Sequence, residues 1–498
     1  MSAGTVVAFA ASRELFGALA CWLDGVEAAG LTHAGLEEEL GSRGRELMRA
    51  LFQDHLDLRA VREERRDQVA GADGVTRTRT EAGHARPLAT VFGEVTVSRI
   101  AYRAPGAPSL HPADAALNLP EEKHSHGLRK LAAAESARGS FEDAGSAITR
   151  STGVRVGKRQ VEQLAMAAVA DIDAFYAARR PGPAAGEVLL VLQFDGKGIV
   201  MRPEALRPAT ARAAAAAEPK LATRLSPGEK HGRKRMAELA AVHDAVPAPR
   251  TAADIITPPA SDPPPRNPGP RAAGKWLTAS VTDDIPAVIA AGFDEAGRRD
   301  PGQKRTWIAL VDGNNIQIEA ITAEAARRAV TVPILIDFVH VLEYAWKAAW
   351  SFFDKGDAAA EEWVAAQATK ILAGKAAQAA AGIRRRASMF GYSPAERAGA
   401  DECAAYLTAK APFLDYPTAL AGGWPIATGV IEGACRHIVK DRMDITGARW
   451  GLAGAEAILK LRALHANGDF NAYWPFHLQQ EHQRIHQTRY QDDLTLAA

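Results

Sequence analysis

Three acids in this chain stand where carboxylates can do chemistry together. Asp195 closes the apolar run Val188–Phe194 in GEVLLVLQFDGKGIVM, Asp312 closes TWIALVDGNN, and Glu432 lies in GGWPIATGVIEGACRH, a helix with a glycine-rich approach. Carboxylates at the ends of buried strands protrude beyond the sheet edge, where ligands bind in α/β folds. Three converging acids repel one another unless cations neutralise them. Hard divalent ions with oxygen ligands, Mg²⁺ or Mn²⁺, meet that need. Two such ions roughly 3.5–4 Å apart can clamp the attacking and leaving oxygens of a phosphodiester. The spacing of the three acids carries no information alone, and an Asp after a strand is more often a helix cap or turn residue.

Other residues have two readings each. Asp337 and His340 follow a third apolar run, VTVPILIDFVHVLEYAW. His340 is a hydrogen-bonded structural histidine or a group supporting a metal site. Trp450, beside Arg449 after the Gly447 turn, is a core anchor or a platform on which a base stacks. Arg233-Lys234-Arg235 is a solvated run or a contact to phosphates. His477, His482 and His486 suggest zinc only if a third ligand sits on an ordered element, so a solvated tail is the simpler expectation. A thiol mechanism at Cys435 lacks a neighbouring base in sequence.

The elements that must position these residues follow from periodicity. The first ~70 residues read as helix. LATVFGEVTVSR around Phe92-Gly93 reads as a hairpin, and helices return from Ser125. Within SFEDAGSAITRSTGVRVGKRQVEQLA, Phe141, Ala144 and Ile148 share a face, Gly153 can end that helix, and Val161, Leu164 and Ala165 stripe a second. That is a helix–turn–helix pattern or an ordinary helical hairpin; in the former, Arg155, Lys158 and Arg159 would face DNA. A boundary is expected near Pro181–Gly186. Beyond it, Val188–Phe194 predicts a central strand, a Gly-Lys-Gly turn and a second short strand, with RKRMAELAAVHDA as a third. Residues 246–271 hold nine of the 28 prolines and read as a solvated loop interrupting a domain. Residues 341–420 read as helical and Ala-rich, with Trp346, Trp350, Phe353 and Trp363 as packing anchors, and the tail from His477 as polar and frayed.

Composition narrows the class. Lysine plus arginine, 60, balance aspartate plus glutamate, 59, so nucleic acid is not indicated by net charge. A hydrophobic share of 47% supplies a core and excludes global disorder. Cys21, Cys403 and Cys435 are too scattered for a disulfide framework or a four-cysteine zinc site, which fits a reducing compartment. No apolar run reaches the ~18 residues of a membrane span, and the first residues lack the basic start of a signal peptide.

QFDGKGIVMRPEAL, RKRMAELAAVHDA, TWIALVDGNN and above all GVIEGACRHIVKDRMDITGARWGLAGAEAILKLRAL resemble the ISKra family of bacterial insertion-sequence transposases. More broadly they resemble DDE transposases with a ribonuclease H-like catalytic domain. TVFGEVTVSRIAYR, LHPADAALNLPEE and HSHGLRKLAA upstream are also similar, so the resemblance runs from about residue 85 to 470. It implies an α/β fold: a ribonuclease H-like mixed five-strand sheet with helices, interrupted by an all-helical insertion and preceded by a mainly helical DNA-binding region with a β-hairpin. The implied divisions are 1–183 for DNA binding, 184–340 for the first part of the core, 341–422 for the insertion, 423–475 for the Glu-bearing helix and 476–498 for the tail. It implies Asp195, Asp312 and Glu432 as the triad holding two Mg²⁺ or Mn²⁺ ions, and Asp337 to His340 as similar to the Asp/Cys-x-x-His motif of Mutator-like transposases.

The implied activity is DNA transposition: metal-dependent phosphodiester hydrolysis at element ends, then strand transfer into target DNA. The implied partner is double-stranded DNA, bound by a homo-oligomer in the bacterial cytoplasm at the nucleoid, with no membrane. A transposase-derived DNA-binding protein that has lost cutting is the alternative, but such a protein is expected to lack an acid that this chain keeps.

Overall fold

The computed structural model describes residues 8–180, 182, 188–216, 221, 233–256, 266–445 and 447–491. The chain divides into two compact units, one of residues 1–175 with 469–498 and one of residues 176–468. The boundary expected near Pro181–Gly186 lies almost wholly outside the described residues.

The first unit opens with α1 (Ala10–Leu23) and the long α2 (His33–Arg62). A sheet of β1 (Arg79–Thr90), β2 (Gly93–Ala104) and β3 (Ala107–Leu110) follows. β1 and β2 form an antiparallel hairpin turning at Val91-Phe92, and Gly93 adopts φ 128°, which an L side chain resists. Leu56 of α2 packs with Leu88, Val95 and Val97 of the hairpin. Next come α3 (His126–Arg138), α4 (Phe141–Thr152) and α5 (Lys158–Ala167). Ser140 and Asp143 form a reciprocal cap on α4, and Gly153 ends it at φ 77°. Phe141, Ala144, Ile148, Val161, Leu164 and Ala165 are all buried, as their spacing predicts, and α4 and α5 both pack on α3.

The second unit holds a mixed five-strand sheet of β4 (Leu189–Met201), β5 (Arg233–Ala245), β6 (Ala272–Ser280), β7 (Trp307–Val311) and β8 (Ile334–Ile336). The spatial order is β8-β7-β4-β5-β6. β4, β7 and β8 are parallel, and β5 is antiparallel to both its neighbours. Helices cover the sheet, including α6 (Ile285–Arg299) and α7 (Asn315–Arg327), which explains why β4 and β7 read as continuous apolar runs. Gly292 of α6 lets that helix approach Phe194; a Cβ there would lie 2.9 Å from the ring.

Two expectations are corrected here. The Gly-Lys-Gly segment is not a turn: β4 runs unbroken through it, paired with β5 from Leu189↔Ala245 to Met201↔Arg233. The glycines make room for side chains of β5, since a Cβ on Gly198 would lie 2.8 Å from Lys234 and one on Gly196 3.1 Å from Glu238. The flank before residue 257 is tied into the fold rather than free, whereas residues 266–269 are exposed as expected. Ala248 N–H donates to Gly423 and Arg250 N–H to Leu420, a short helix spans Ala252–Ile255, and Asp254 accepts from Asn267 N–H. Residues 257–265 lie outside the described residues.

Between β8 and the Glu-bearing helix run α8 (Phe338–Ala349), α9 (Ala358–Leu372), α10 (Ala376–Met389) and α11 (Ala398–Ala409). Their alanines let the helices close on one core with Val341, Ile371, Ile383 and Leu407. Phe353 and Trp363 pack against the Arg386 guanidinium, but Trp350 is 41% exposed and not the anchor expected. The unit ends with α12 (Gly429–Ala434), a π-helical segment Cys435–Lys440, and α13 (Leu452–Ala466).

α14 (Phe470–Ile485) returns to the first unit. The frayed tail expected from His477 is therefore ordered helix to Ile485. His477 and His486 are buried, hydrogen-bonded to Asp171 and to the Leu119 carbonyl. Among the described residues no helix is long and apolar enough to cross a membrane.

Candidate active site

Strand register aligns three aspartates. Gln193 of β4 is paired with Leu310 of β7, and Val311 with Ile336 of β8. Two residues beyond the first pair and one beyond the second, Asp195, Asp312 and Asp337 form a row across β4, β7 and β8. Adjacent strands lie about 4.8 Å apart, so Asp312 sits centrally between the other two. Asp195 lies within β4 rather than at its end, because β4 continues past its last pairing with β7 along β5.

Glu432 reaches the row from α12. Gln193, two residues before Asp195 and so on the same face of β4, is fully buried and accepts a 3.0 Å hydrogen bond from Ile431 N–H. That contact seats the helix immediately beside Glu432. Phe338 N–H donates to the Ile426 carbonyl at 2.8 Å, tying the approach to α12 to the end of β8. The result is one cavity of about 170 Å³ lined by Phe194, Asp195, Asp312, Asp337, Val339, His340, Glu343, Thr428, Ile431 and Glu432.

Each acid has its own donors. Asp195 accepts from Gly196 N–H at 2.6 Å and from the Cys435 thiol at 3.2 Å. Asp312 caps α7's approach through Asn314 N–H at 2.9 Å, while its carbonyl accepts from Tyr406 at 3.0 Å. Asp337 caps α8 through Val339 N–H at 2.8 Å and accepts from the Thr428 hydroxyl, which lies 3.3 Å from Glu432. His340 stands 3.3 Å from Glu343 and edge-on to Tyr344 and Tyr406, themselves stacked at 3.9 Å.

The charges are not balanced from within. Burial, with Asp312 adding repulsion, pushes the Asp195 carboxyl above its usual range despite its two donors. Burial and then Asp337 do the same to Glu432. Glu238, buried on β5 opposite Gly196, is pushed up to about 7 by burial and then by Asp195. No Lys or Arg is among the residues lining the cavity. As the side chains stand, no three of the described His, Cys, Asp and Glu residues are arranged to hold a metal ion. The donor chemistry nonetheless suits a hard divalent cation, being almost all carboxylate oxygen.

The remaining candidates are distributed. Arg155, Lys158 and Arg159 are exposed at the α4–α5 turn and the start of α5, with Lys158 4.0 Å from Glu142. Arg233, Lys234 and Arg235 begin β5. Arg235 donates to the Val281 and Ala205 carbonyls at 2.7 and 3.3 Å, and Lys234 lies 3.9 Å from Asp444, so two of the three already serve the fold. Arg449 is exposed. Trp450 is not a stacking platform: it is buried, its indole N–H donates to Met443 at 3.1 Å, and the Arg442 guanidinium lies over its ring at 4.8 Å. Cys435 is a thiol donor, held protonated by burial and by Asp195.

Sequence reading missed Glu238, Gln193, Thr428 and Glu343. A lone Glu inside the apolar stretch of RKRMAELAAVHDA and a lone Gln in VLLVLQF were the available signals, since buried polar side chains in a strand need a reason. No protein-family model and no curated protein matches this chain.

Proposed function

We propose that this chain is a DNA transposase that uses bound Mg²⁺ or Mn²⁺ to cut phosphodiesters at element ends and join them to target DNA. The observation that carries the reading is the row Asp195–Asp312–Asp337 with Glu432 seated over it in one cavity. The order and directions of the five strands support taking the domain as ribonuclease H-like.

Asp195, Asp312 and Glu432 are the residues that would hold two cations, with Asp312 central. Bound cations supply charge neutralisation and activation of the attacking oxygen for an in-line displacement at phosphorus. The chain's own part is positioning. Gln193 fixes the height of α12, and Thr428 spans Asp337 and Glu432, holding the latter's carboxylate toward the row. The Cys435 thiol orients one oxygen of Asp195, leaving the other toward its own strand amide. Asp337 adds negative charge beside the three, and Glu238 adds more once it ionises above about 7, which raises the site's affinity for divalent cations. Double-stranded DNA, an oligomer assembled on it and a bacterial cytoplasmic setting follow from the same reading.

The test is nicking of a labelled duplex carrying the element's ends in Mg²⁺, beside a binding assay. Metal-dependent cleavage lost in Asp195→Ala, Asp312→Ala and Glu432→Ala, with binding retained, is expected. Cleavage unaffected by all three substitutions would refute the assignment, and binding without any cleavage would favour the non-cutting DNA-binding protein.

A further inference from the structure

One cavity in the first unit has the chemistry of a phosphate contact. It measures about 690 Å³ and opens between the end of α2, Val97 to Tyr102 of β2 and residues 112–117. Its floor is apolar: Leu56, Val97 and Leu117 belong to the packed core beneath, and Tyr102 is buried. Its rim carries Arg59, Arg62, Arg65 and Arg66. All four are exposed, and no ion pair holds any of them among the described residues. Glu63 and Glu64 also line it, leaving an excess of two positive charges. Glu63 faces inward, accepting from Ile100 N–H at 2.8 Å, and burial keeps its carboxyl above the usual range.

The rim is anchored. Arg66 N–H donates to the Tyr102 hydroxyl at 2.8 Å, which fixes the chain just after α2 against β2. Arg59 and Arg62 are three residues apart in α2 and so share a helix face. Arg65 and Arg66 follow in non-helical chain. At ~1.5 Å per helical residue and ~3.3 Å per extended one, the four positions span ~15–18 Å. That spread exceeds one phosphate and matches several successive phosphates of a strand, which rise ~3.4 Å each along the duplex axis.

We propose that this cavity is a contact site for the phosphodiester backbone of duplex DNA, separate from the α4–α5 turn. The proposal rests on the reading of the chain as a DNA-acting protein. It assigns affinity and not sequence choice to this site, because phosphate contacts carry no base information.

The experiment is fluorescence anisotropy of the full-length chain with a labelled duplex over a series of salt concentrations. A variant combining Arg59→Gln, Arg62→Gln, Arg65→Gln and Arg66→Gln is compared with one carrying Lys at the same four positions. Losing four phosphate contacts should make the slope of log affinity against log salt shallower by about 3 to 4. At low salt the Gln variant should bind at least about tenfold more weakly, and the Lys variant should keep most of the slope. Because all four side chains are exposed, thermal melting should not move. If the Gln variant nevertheless melts lower, Arg65→Glu with Arg66→Glu replaces it, with a slope change of about 2 expected. Wild-type binding with an unchanged slope in the variants overturns the proposal and leaves the proposed function standing. A wild-type chain that binds no duplex overturns both. Inorganic tripolyphosphate is the second probe: saturable binding to wild type and not to the Gln variant, with DNA binding unchanged, would mean a free phosphate ligand and also overturn the proposal.

Discussion

Asp171 is buried and Asp195 half-buried, and the two units provide for them in opposite ways. Asp171 receives Arg484 at 2.7 Å and His477 at 2.7 Å, and its neighbour Glu481 receives Arg129 at 2.6 Å. Burial alone would raise the Asp171 carboxyl, but the hydrogen bonds from Arg484 and His477 win and hold it below the usual range. Asp195 receives a thiol and an amide, and its acidic neighbours are Asp312 and Glu238. The first cluster is a finished structural joint of α14 to Asp171 and to Arg129 of α3 within the first unit. The second is a concentration of like charge that Lys197 and Arg207 offset only in part, which is what the proposed cation site would require.

The largest separation between the two should come from activity. Asp312→Asn, which removes the central acid of the row, should reduce cleavage by roughly a thousandfold or more, while Asp337→Asn, acting through Thr428, should cost roughly 10- to 100-fold. Equal losses in a nicking assay would mean that Asp337 ligates directly.

The next effect is on stability. Arg129→Ala leaves Glu481 buried without its guanidinium and should destabilise the first unit by about 3–5 kcal/mol in denaturant melts. Asp195→Asn should do the reverse in chelator, stabilising the chain by about 1 kcal/mol by relieving repulsion. Added Mg²⁺ should raise the melting temperature of wild type more than that of Asp195→Asn, since ligand binding to the folded state stabilises it. A metal-free Asp195→Asn protein less stable than wild type would show that the acid serves packing.

The smallest effect is the pH dependence. An acid whose folded pKa is raised binds its proton more tightly when folded, so stability rises as pH falls from its folded toward its unfolded value. For Glu238 that window runs from about 7 down to the ordinary 4.5. Asp171 has the opposite sign: its lowered pKa contributes stability above the ordinary 3.8 that is lost as pH falls further. In chelator, wild type should therefore gain stability relative to Glu238→Gln from pH 7 to about 5, while both lose stability overall in that range because buried His243 and His111, held down to about 4 by burial, stay neutral in the fold and charge when it opens.

Much of this arrangement was legible because it is local. β4 and β7 announce themselves as apolar runs, the first passing an Asp and the second ending at one where the row forms, and α4 and α5 carry their stripes and the Gly153 stop in sequence. What failed to show was non-local. Gly196 and Gly198 look like a turn until β5 is seen laying Glu238 and Lys234 across them. Arg235 looks free until the Val281 carbonyl takes it. His477 looks solvated because its partner, Asp171, lies 306 residues away. Trp450 offered two roles that only burial could decide.

The most direct measurement is anomalous diffraction from crystals soaked in Mn²⁺. One or two peaks among Asp195, Asp312 and Glu432, lost in Asp312→Asn crystals, are the expected result. Well-occupied Mn²⁺ elsewhere on the chain, with none between these acids at saturating metal, would contradict their assignment as the cation site.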